Sequence, residues 1–534
     1  MAYFPLVFWD FSFVPLPLPQ ELFLGSGRRS ERYQGKLEQR ACDSAEVGMA
    51  DQREADEWRR ERSPRRNHDE HLDRHPLETE VLSRYFVKWR SVLVGLLVIA
   101  FSLISSYLLL HDNVRYALGA VMVLGLGIVI FIKPQIGFWA YYIMALARPN
   151  EVLWGFEKLR ISLGLAVFTL IATLVRTSMS RRGSPPKDRI LLVMLSFNVV
   201  VALSALTHGG NYERLIDITK MLLFAGTFAA FMNQRSWYKV SIWLVTCSFA
   251  YLTFWALMQK YVHGVYMLDG PGSASATLKD RNFFAMHLLL AIPFYWYLAE
   301  RIESKFWKLP ALGMIPLAVL CVFLTASRGG LLGIAAAFGM IAWQSRHRVP
   351  ALIGGILLLG GFYVVAAPQT LKGRADTIVH YEGEASAEGR LHSWRAGTKM
   401  MLSNPFLGVG PAQYVSQYRF YDSSKPRQAH NILVQTGGEY GITGLIFLIL
   451  FHVFVFRRLL RLRDEEGADD PLVRSWAKTL LASQVAFWVT AFFISAERYE
   501  FGWFIGALAV SLTLTLQRES RDFEQDELMD ELEI

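Results

Sequence analysis

The sequence predicts an all-α polytopic membrane protein of about 12–14 transmembrane helices, with one large extracytoplasmic loop and both termini cytoplasmic. Three observations carry this. Hydrophobic residues make up 52% of the 534 positions and aromatics 13%, with a mean hydropathy of +0.25; a soluble domain of that length needs more polar surface. The apolar residues fall in runs of about 20, the length that crosses a hydrocarbon core. Lys and Arg collect in the short connections between those runs, which is how membrane orientation is encoded.

Residues 1–25 are aromatic and proline-rich, with no basic region ahead of the apolar stretch. Pro15, Pro17 and Pro19 would break a spanning helix, so this is not read as a cleavable signal peptide. Residues 28–80 are crowded with Arg, Glu, Asp and Gln and show no apolar period. The segment 1–88 is therefore read as a disordered, charged cytoplasmic tail, and Met49 offers an alternative start.

The first membrane portion, 89–366, holds spans near 91–110, 116–133, 135–147, 160–176, 189–206, 218–233, 238–259, 282–299, 308–325, 329–344 and 349–366. The 135–147 and 329–344 runs are short, which sets the range in the helix count. A large periplasmic loop, 367–429, follows. Spans near 431–456, 474–496 and 501–517 make up the second membrane portion, 430–517, and residues 518–534 read as an acidic cytoplasmic tail. With the first tail inside, short inner loops hold about 20 Lys and Arg against about 11 outside, the direction the positive-inside rule requires. The long connections 259–281 and 367–429 then fall outside. The protein is expected in a bacterial inner membrane.

These features exclude several function classes. A net charge of +8 suggests nucleic acid only until the cations are seen to lie in membrane loops, where anionic lipid headgroups are the partner. Cys42, Cys247 and Cys321 are far apart and offer no disulfide framework or zinc spacing. No cofactor and no metal are expected. The loop 367–429 exceeds a connector; its stretch Gly389–Leu402 interleaves Leu391, Trp394 and Met400 with Arg390, Arg395 and Lys399. That pattern fits a helix on the membrane surface, a lid over a cavity, or an extramembrane helix that covers the bundle.

Ionisable residues gather at the outer ends of the spans in five places: Arg148-Pro149-Asn150 with Trp154-Gly155; Arg214 with Asp217 and Lys220; Asp280-Arg281-Asn282; Ser327-Arg328-Gly329-Gly330; and His430-Asn431, followed by Glu439. Charges at membrane depth are costly and face a cavity or a partner. A single one reads as an interfacial anchor or helix cap, whereas several arginines on one face suit a diphosphate.

His430-Asn431, a nine-residue gap and Gly441-Ile442-Thr443-Gly444 resemble the signature of the O-antigen ligase family. The Ser327–Gly330 knot and the turn Pro405…Gly408-Val409-Gly410 resemble its other landmarks, in the family's order, across roughly residues 270–460. The run Ala145–Asn150 ending in Trp154-Gly155, and the passage Gly270-Pro271-Gly272 to Asp280-Arg281-Asn282, are similar to the O-glycosylation ligases associated with exosortase A systems. The charged tail before residue 80 departs from the family pattern.

The resemblance implies a metal-independent membrane glycosyltransferase that passes a preassembled glycan from undecaprenyl diphosphate to the hydroxyl of a lipid, polysaccharide or protein acceptor, on the periplasmic face. His430 is the candidate catalytic residue, as general base or as a group orienting the acceptor. Arg214, Arg281 and Arg328 are candidate diphosphate-binding residues, since arginines neutralise a leaving diphosphate without a metal. Asp280 is the candidate that orients an arginine or His430. In-line attack would invert the anomeric configuration. His430 could instead cap the helix that follows, a role Asn431 fills equally well. Gly441 and Gly444 are expected to permit close helix packing, and nothing beyond position singles out Glu497-Arg498. A polymerase that extends a glycan on its own carrier shares the expected fold; a lipid-linked glycan transporter is the alternative from another class, though no internal repeat is seen.

Overall fold

The computed structural model describes residues 125–149, 161–179, 186–208, 212–272, 277–366 and 385–533. The chain separates into two units, Met1–Leu82 and Ser83–Ile534, and every described residue lies in the second. The expected disordered tail, the 91–110 span, most of the 116–133 span, Trp154-Gly155 and residues 367–384 fall outside the described residues.

The protein is an all-α polytopic membrane protein; no strand occurs among the described residues. The helices are α1 (Pro134–Leu146), α2 (Ile161–Met179), α3 (Arg189–His208), α4 (Tyr212–Phe231), α5 (Arg235–Tyr261), α6 (Arg281–Arg301), α7 (Lys305–Leu324), α8 (Arg328–Gln344), α9 (Arg348–Ala366), α10 (Ala385–Ser403), α11 (Tyr414–Gln417), α12 (Ile432–Asp464), α13 (Pro471–Ala491) and α14 (Glu500–Glu533). Eight of these, α2, α3, α5, α6, α7, α9, α12 and α14, are long and apolar enough to cross a membrane. The two short runs are helical as well, as α1 and α8.

The helices form because long apolar runs satisfy their own backbone polar groups only as helices when water is absent. Prolines inside α6 (Pro293) and α7 (Pro310, Pro316) are tolerated for the same reason. α6 and α14 are the central helices, each with 78% of its apolar window buried, whereas α9 has 6% and lies at the edge. α3 shows how the outer face is made. Leu192, Leu195, Val199, Leu203 and Leu206 form an exposed apolar stripe, while Phe197, Val201 and Ala205 are buried. A stripe of that kind is at home against lipid and would be a liability in water.

Polar side chains fix the helix ends. Asp280, Ser327, Asn431 and Asp470 cap α6, α8, α12 and α13, each accepting from backbone N–H groups of its own first turn. At the far end of α12 from Asn431, Arg235 bonds Asp470 Oδ2 at 2.5 Å and Glu519 at 2.6–2.7 Å, joining α5, α13 and α14. Glu519 belongs to the stretch read as an acidic tail. That stretch continues α14, with Arg518 and Asp522 one turn apart and 3.6 Å from each other.

The amphipathic stretch is α10, packed against the start of α12. Ala396, Met400, Val409, Tyr414, Tyr418 and Ala429 make a small separate core there, flanked by Tyr421 and Val434.

Candidate active site

The site is organised by a break in α12. Gly441 has φ 71° and ψ −172°, a conformation open in practice only to glycine. The break divides α12 into a short first segment, Ile432–Tyr440, and a long second one. A break inside an apolar bundle frees backbone groups that must find partners. The Pro405–Gly410 turn supplies them. Val409 N donates to Gly438 O at 2.9 Å, Gly410 N to Glu439 O at 3.1 Å, and Ile442 N to Pro405 O at 2.7 Å. Ser204 on α3 donates to Glu439 O at 3.1 Å and Leu407 O at 2.6 Å. Gly408 (φ 65°) lies so close to α12 that a Cβ there would sit 2.3 Å from the carbonyl carbon of Glu439. The turn and the broken helix are therefore one hydrogen-bonded unit. Gly441 thus both breaks the helix and lets the turn approach, since a Cβ there would lie 2.5 Å from Pro405 O. A Cβ at Gly444 would meet Tyr440 of its own helix at 2.4 Å and Val200 of α3 only at an ordinary 3.7 Å.

His430 stands immediately before the short segment. The cap of α12 is Asn431, whose side chain accepts from Leu433 N and Val434 N at 2.9 and 3.1 Å, so His430 is not the capping residue. His430 is half-buried with φ 48°, unusual for a residue with a Cβ. The incoming chain is stitched to α10: Trp394 Nε1 donates to Ala429 O at 2.9 Å and Ser393 Oγ to Gln428 O at 3.0 Å. Burial lowers the imidazole below its ordinary value of 6.5; Arg390 pushes the same way, Asp280 opposes, and Arg427 adds to the lowering. Three charged residues from α10, the start of α6 and the incoming chain thus act on this ring. Arg427 lies against Gly389, where a Cβ would come 1.6 Å from its Nη1, so its guanidinium packs on the chain position next to Arg390.

The starts of α6 and α8 are joined. Ser327 Oγ donates to Asn282 Oδ1 at 2.8 Å, and a Cβ on Gly329 would lie 3.1 Å from Phe493, two residues before Ser495, which accepts from His430 N at 3.1 Å. Arg281 and Arg328 occupy the first positions of those two helices, both half-buried. Arg281 Nη1 also reaches Met267 Sδ at 2.9 Å. Asp280 is exposed, and its carboxylate accepts from Asn282 N and Phe283 N at 2.7 and 3.2 Å. It acts on His430 through its charge, while its hydrogen bonds go to the helix end.

Arg214 is placed differently from the other candidates. It pairs with the buried Glu497 at 3.5 Å, with Arg498 at 3.7 Å from the same oxygen. Burial, and next the charge of Glu439, push the Glu497 carboxyl up, with Arg498 and Arg214 opposing. Glu439, 1% exposed, accepts from Gln435 Nε2 at 2.8 Å. A buried polar layer thus underlies the histidine, running through Ser495, Gln435, Glu439, Glu497 and Arg214. Sequence reasoning passed over Gln435, Ser495, Arg390 and Arg427, and gave Glu497 no role. A signal existed for one part: Asn431, Gln435 and Glu439 recur every four residues in an otherwise apolar run, one polar stripe on a helix.

Part of this geometry lies inside the span that comparison identifies, while Arg214, Asp280, Arg281, Ser495 and Glu497 lie outside it. Residues 312–449 match the family model described as O-Antigen ligase, a span that contains Arg328, the Pro405–Gly410 turn, His430 and the break at Gly441. The protein is a multi-pass membrane protein, and over those residues it is similar to the O-antigen ligase family. Along a longer stretch it is similar to the teichuronic acid biosynthesis protein TuaE of Bacillus subtilis (strain 168), 24% identical over 342 residues, which cover 59% of this chain and 68% of that protein. The likeness to exosortase-associated ligases rests on the short sequence motifs alone.

Proposed function

We propose that the protein is a membrane glycosyltransferase that moves a glycan from undecaprenyl diphosphate to an acceptor hydroxyl on the extracytoplasmic face of a bacterial inner membrane. The observation that carries this is His430, held in a left-handed turn just before the short first segment of α12, with its imidazole pKa lowered by burial and by Arg390. A neutral imidazole among cations is suited to accept a proton beside an anionic leaving group. In the proposed step the acceptor oxygen attacks the anomeric carbon and its proton passes to His430. The bond from that carbon to the diphosphate oxygen breaks, and undecaprenyl diphosphate leaves with the electron pair. Attack opposite the leaving group inverts the configuration. Arg281, Arg328, Arg390 and Arg427 meet the charge that develops on the diphosphate. The starts of α6, α8 and the short segment of α12 add their partial positive charge.

A polymerase that lengthens a glycan on its own carrier is the second reading, since it shares the expected fold and the histidine region. The test is to supply membranes containing wild type or His430→Ala with labelled undecaprenyl diphosphate glycan and follow the label. Wild type should release the glycan from its carrier, and the variant at equal abundance should lose about 10²–10⁴-fold in rate. Label on a new acceptor means ligase, and lengthened glycan on the carrier means polymerase. Equal transfer by both proteins would sink the role of His430. A wild type that moves the lipid yet leaves every bond intact would be a transporter.

A further inference from the structure

The left-handed turn at His430 needs an explanation, because a non-glycine residue does not hold φ 48° unaided. Two side chains that belong to neither the histidine nor the arginine set account for it. Gln435 Oε1 accepts from Ala429 N at 3.1 Å and from Ser495 Oγ at 3.0 Å, and Ser495 Oγ accepts from His430 N at 3.1 Å. The two consecutive backbone N–H groups that define the turn are thereby bound, one directly by Gln435 and one through Ser495. The amide cannot be reversed without loss. Its Nε2 donates to Glu439 Oε1 at 2.8 Å, and turning it would aim a carbonyl oxygen at a carboxylate and NH2 at an N–H donor. Gln435 is 3% exposed and Ser495 4%, so the three bonds made by Gln435 are buried and the one from His430 N is partly so.

We propose that Gln435 and Ser495 are positioning residues of this site: they hold the Ala429–His430 backbone in its left-handed turn and so fix where the imidazole stands, without touching substrate. The inference rests on the catalytic reading of His430 and deepens it. Ser495 comes from the connection between α13 and α14 while Gln435 is on α12, so the clamp ties the histidine to a second part of the bundle. A turn held from one side only would let the ring move by an ångström or more, and misplacement of that size costs about 100-fold in rate.

The experiment is a double-mutant cycle in single-turnover transfer from labelled undecaprenyl diphosphate glycan, with the protein in excess, using Gln435→Ala, Ser495→Ala and each combined with His430→Ala. Abundance and thermal survival in detergent are measured for every variant. Ser495→Ala removes one atom and keeps the fold testable if Gln435→Ala does not accumulate. The expected result is a fall in kcat of about 10–100-fold with the donor KM within about twofold. In the His430→Ala background the same substitutions should then cost less than about twofold, because a residue that acts through another has nothing left to act on. An undiminished penalty in that background overturns the proposal, as do a change confined to KM and a variant as fast as wild type. If His430→Ala itself transfers normally, the catalytic reading has failed. If His430→Ala is crippled while Gln435→Ala and Ser495→Ala are not, this inference alone has failed.

Discussion

Replacing Gly441 by alanine tests the break on which the site is built. The added Cβ would sit 2.5 Å from Pro405 O, 2.7 Å from the carbonyl carbon of Phe406 and 2.8 Å from Leu407 N. All three are backbone atoms, so no rotamer change relieves the contact, and the turn must withdraw. Holding an alanine at φ 71°, ψ −172° costs about 1–3 kcal/mol in itself. Withdrawal of the turn stretches Ile442 N–Pro405 O and the two bonds from Val409 and Gly410, at about 1 kcal/mol for each bond lost. The sum is about 3–5 kcal/mol if two of the three bonds fail, enough to shift a folding equilibrium by a factor of about 10²–10⁴. The assay is survival of the folded, monodisperse protein after graded heating in detergent, read by size-exclusion chromatography. Gly339→Ala is the control: it lies in α8 with nothing within 4 Å of the added methyl, and its helix should gain up to about 1 kcal/mol. Gly441→Ala should lose its folded peak well before wild type and Gly339→Ala should not. If the two variants melt together, the glycine-only break and its hydrogen-bonded turn are not what hold this region.

Two further outcomes follow from the charges. His430 as a base must be neutral, and its pKa is held below 6.5, so kcat/KM should fall on the acid side only below that value. Arg390→Ala removes a repelling cation and should move this limb up, whereas Asp280→Asn removes an anion that favours imidazolium and should move it down; shifts of the same sign would contradict the assignment. For Glu497 the sign runs the other way. Its folded pKa is raised, so the folded state binds more protons than the unfolded one, and stability declines as pH rises above the ordinary carboxylate value of 4.5. Glu497→Gln should flatten that decline, while Glu497→Ala, which strips Arg214 of a buried partner at 3.5 Å, should cost about 2–4 kcal/mol. A pH–stability curve unchanged in Glu497→Gln would show that the carboxyl is ionised throughout.

The spans were legible because lipid imposes a simple demand: a long apolar run must be helical. The expected 189–206 run is α3 (Arg189–His208) and the 349–366 run is α9 (Arg348–Ala366). Ends were harder. Residues 518–534 read as an acidic tail from composition, and among them Glu519 pairs with Arg235 of α5. That partner lies 284 residues away, and no local pattern reports it.

The site was legible in one respect and hidden in another, and the difference is physical. His430, Arg281 and Arg328 stood out because charged or titratable groups beside apolar runs are costly and therefore conspicuous. Arg390 did not, because it sits in a polar, amphipathic segment where an arginine is unremarked, and only the packing of α10 on α12 brings it to the histidine. Gly441 was noticed for close packing, and its place at a helix break was missed. Two glycines three residues apart suit both close helix packing and a helix break, and the sequence of α12 alone does not separate them. What separates them is the donor supply. A break needs N–H groups from elsewhere, and the Pro405–Gly410 turn delivers two of them to the carbonyls of Gly438 and Glu439. The two motifs, some thirty residues apart, are thus halves of one requirement: the break exposes acceptors that only a tight, glycine-bearing turn comes close enough to satisfy.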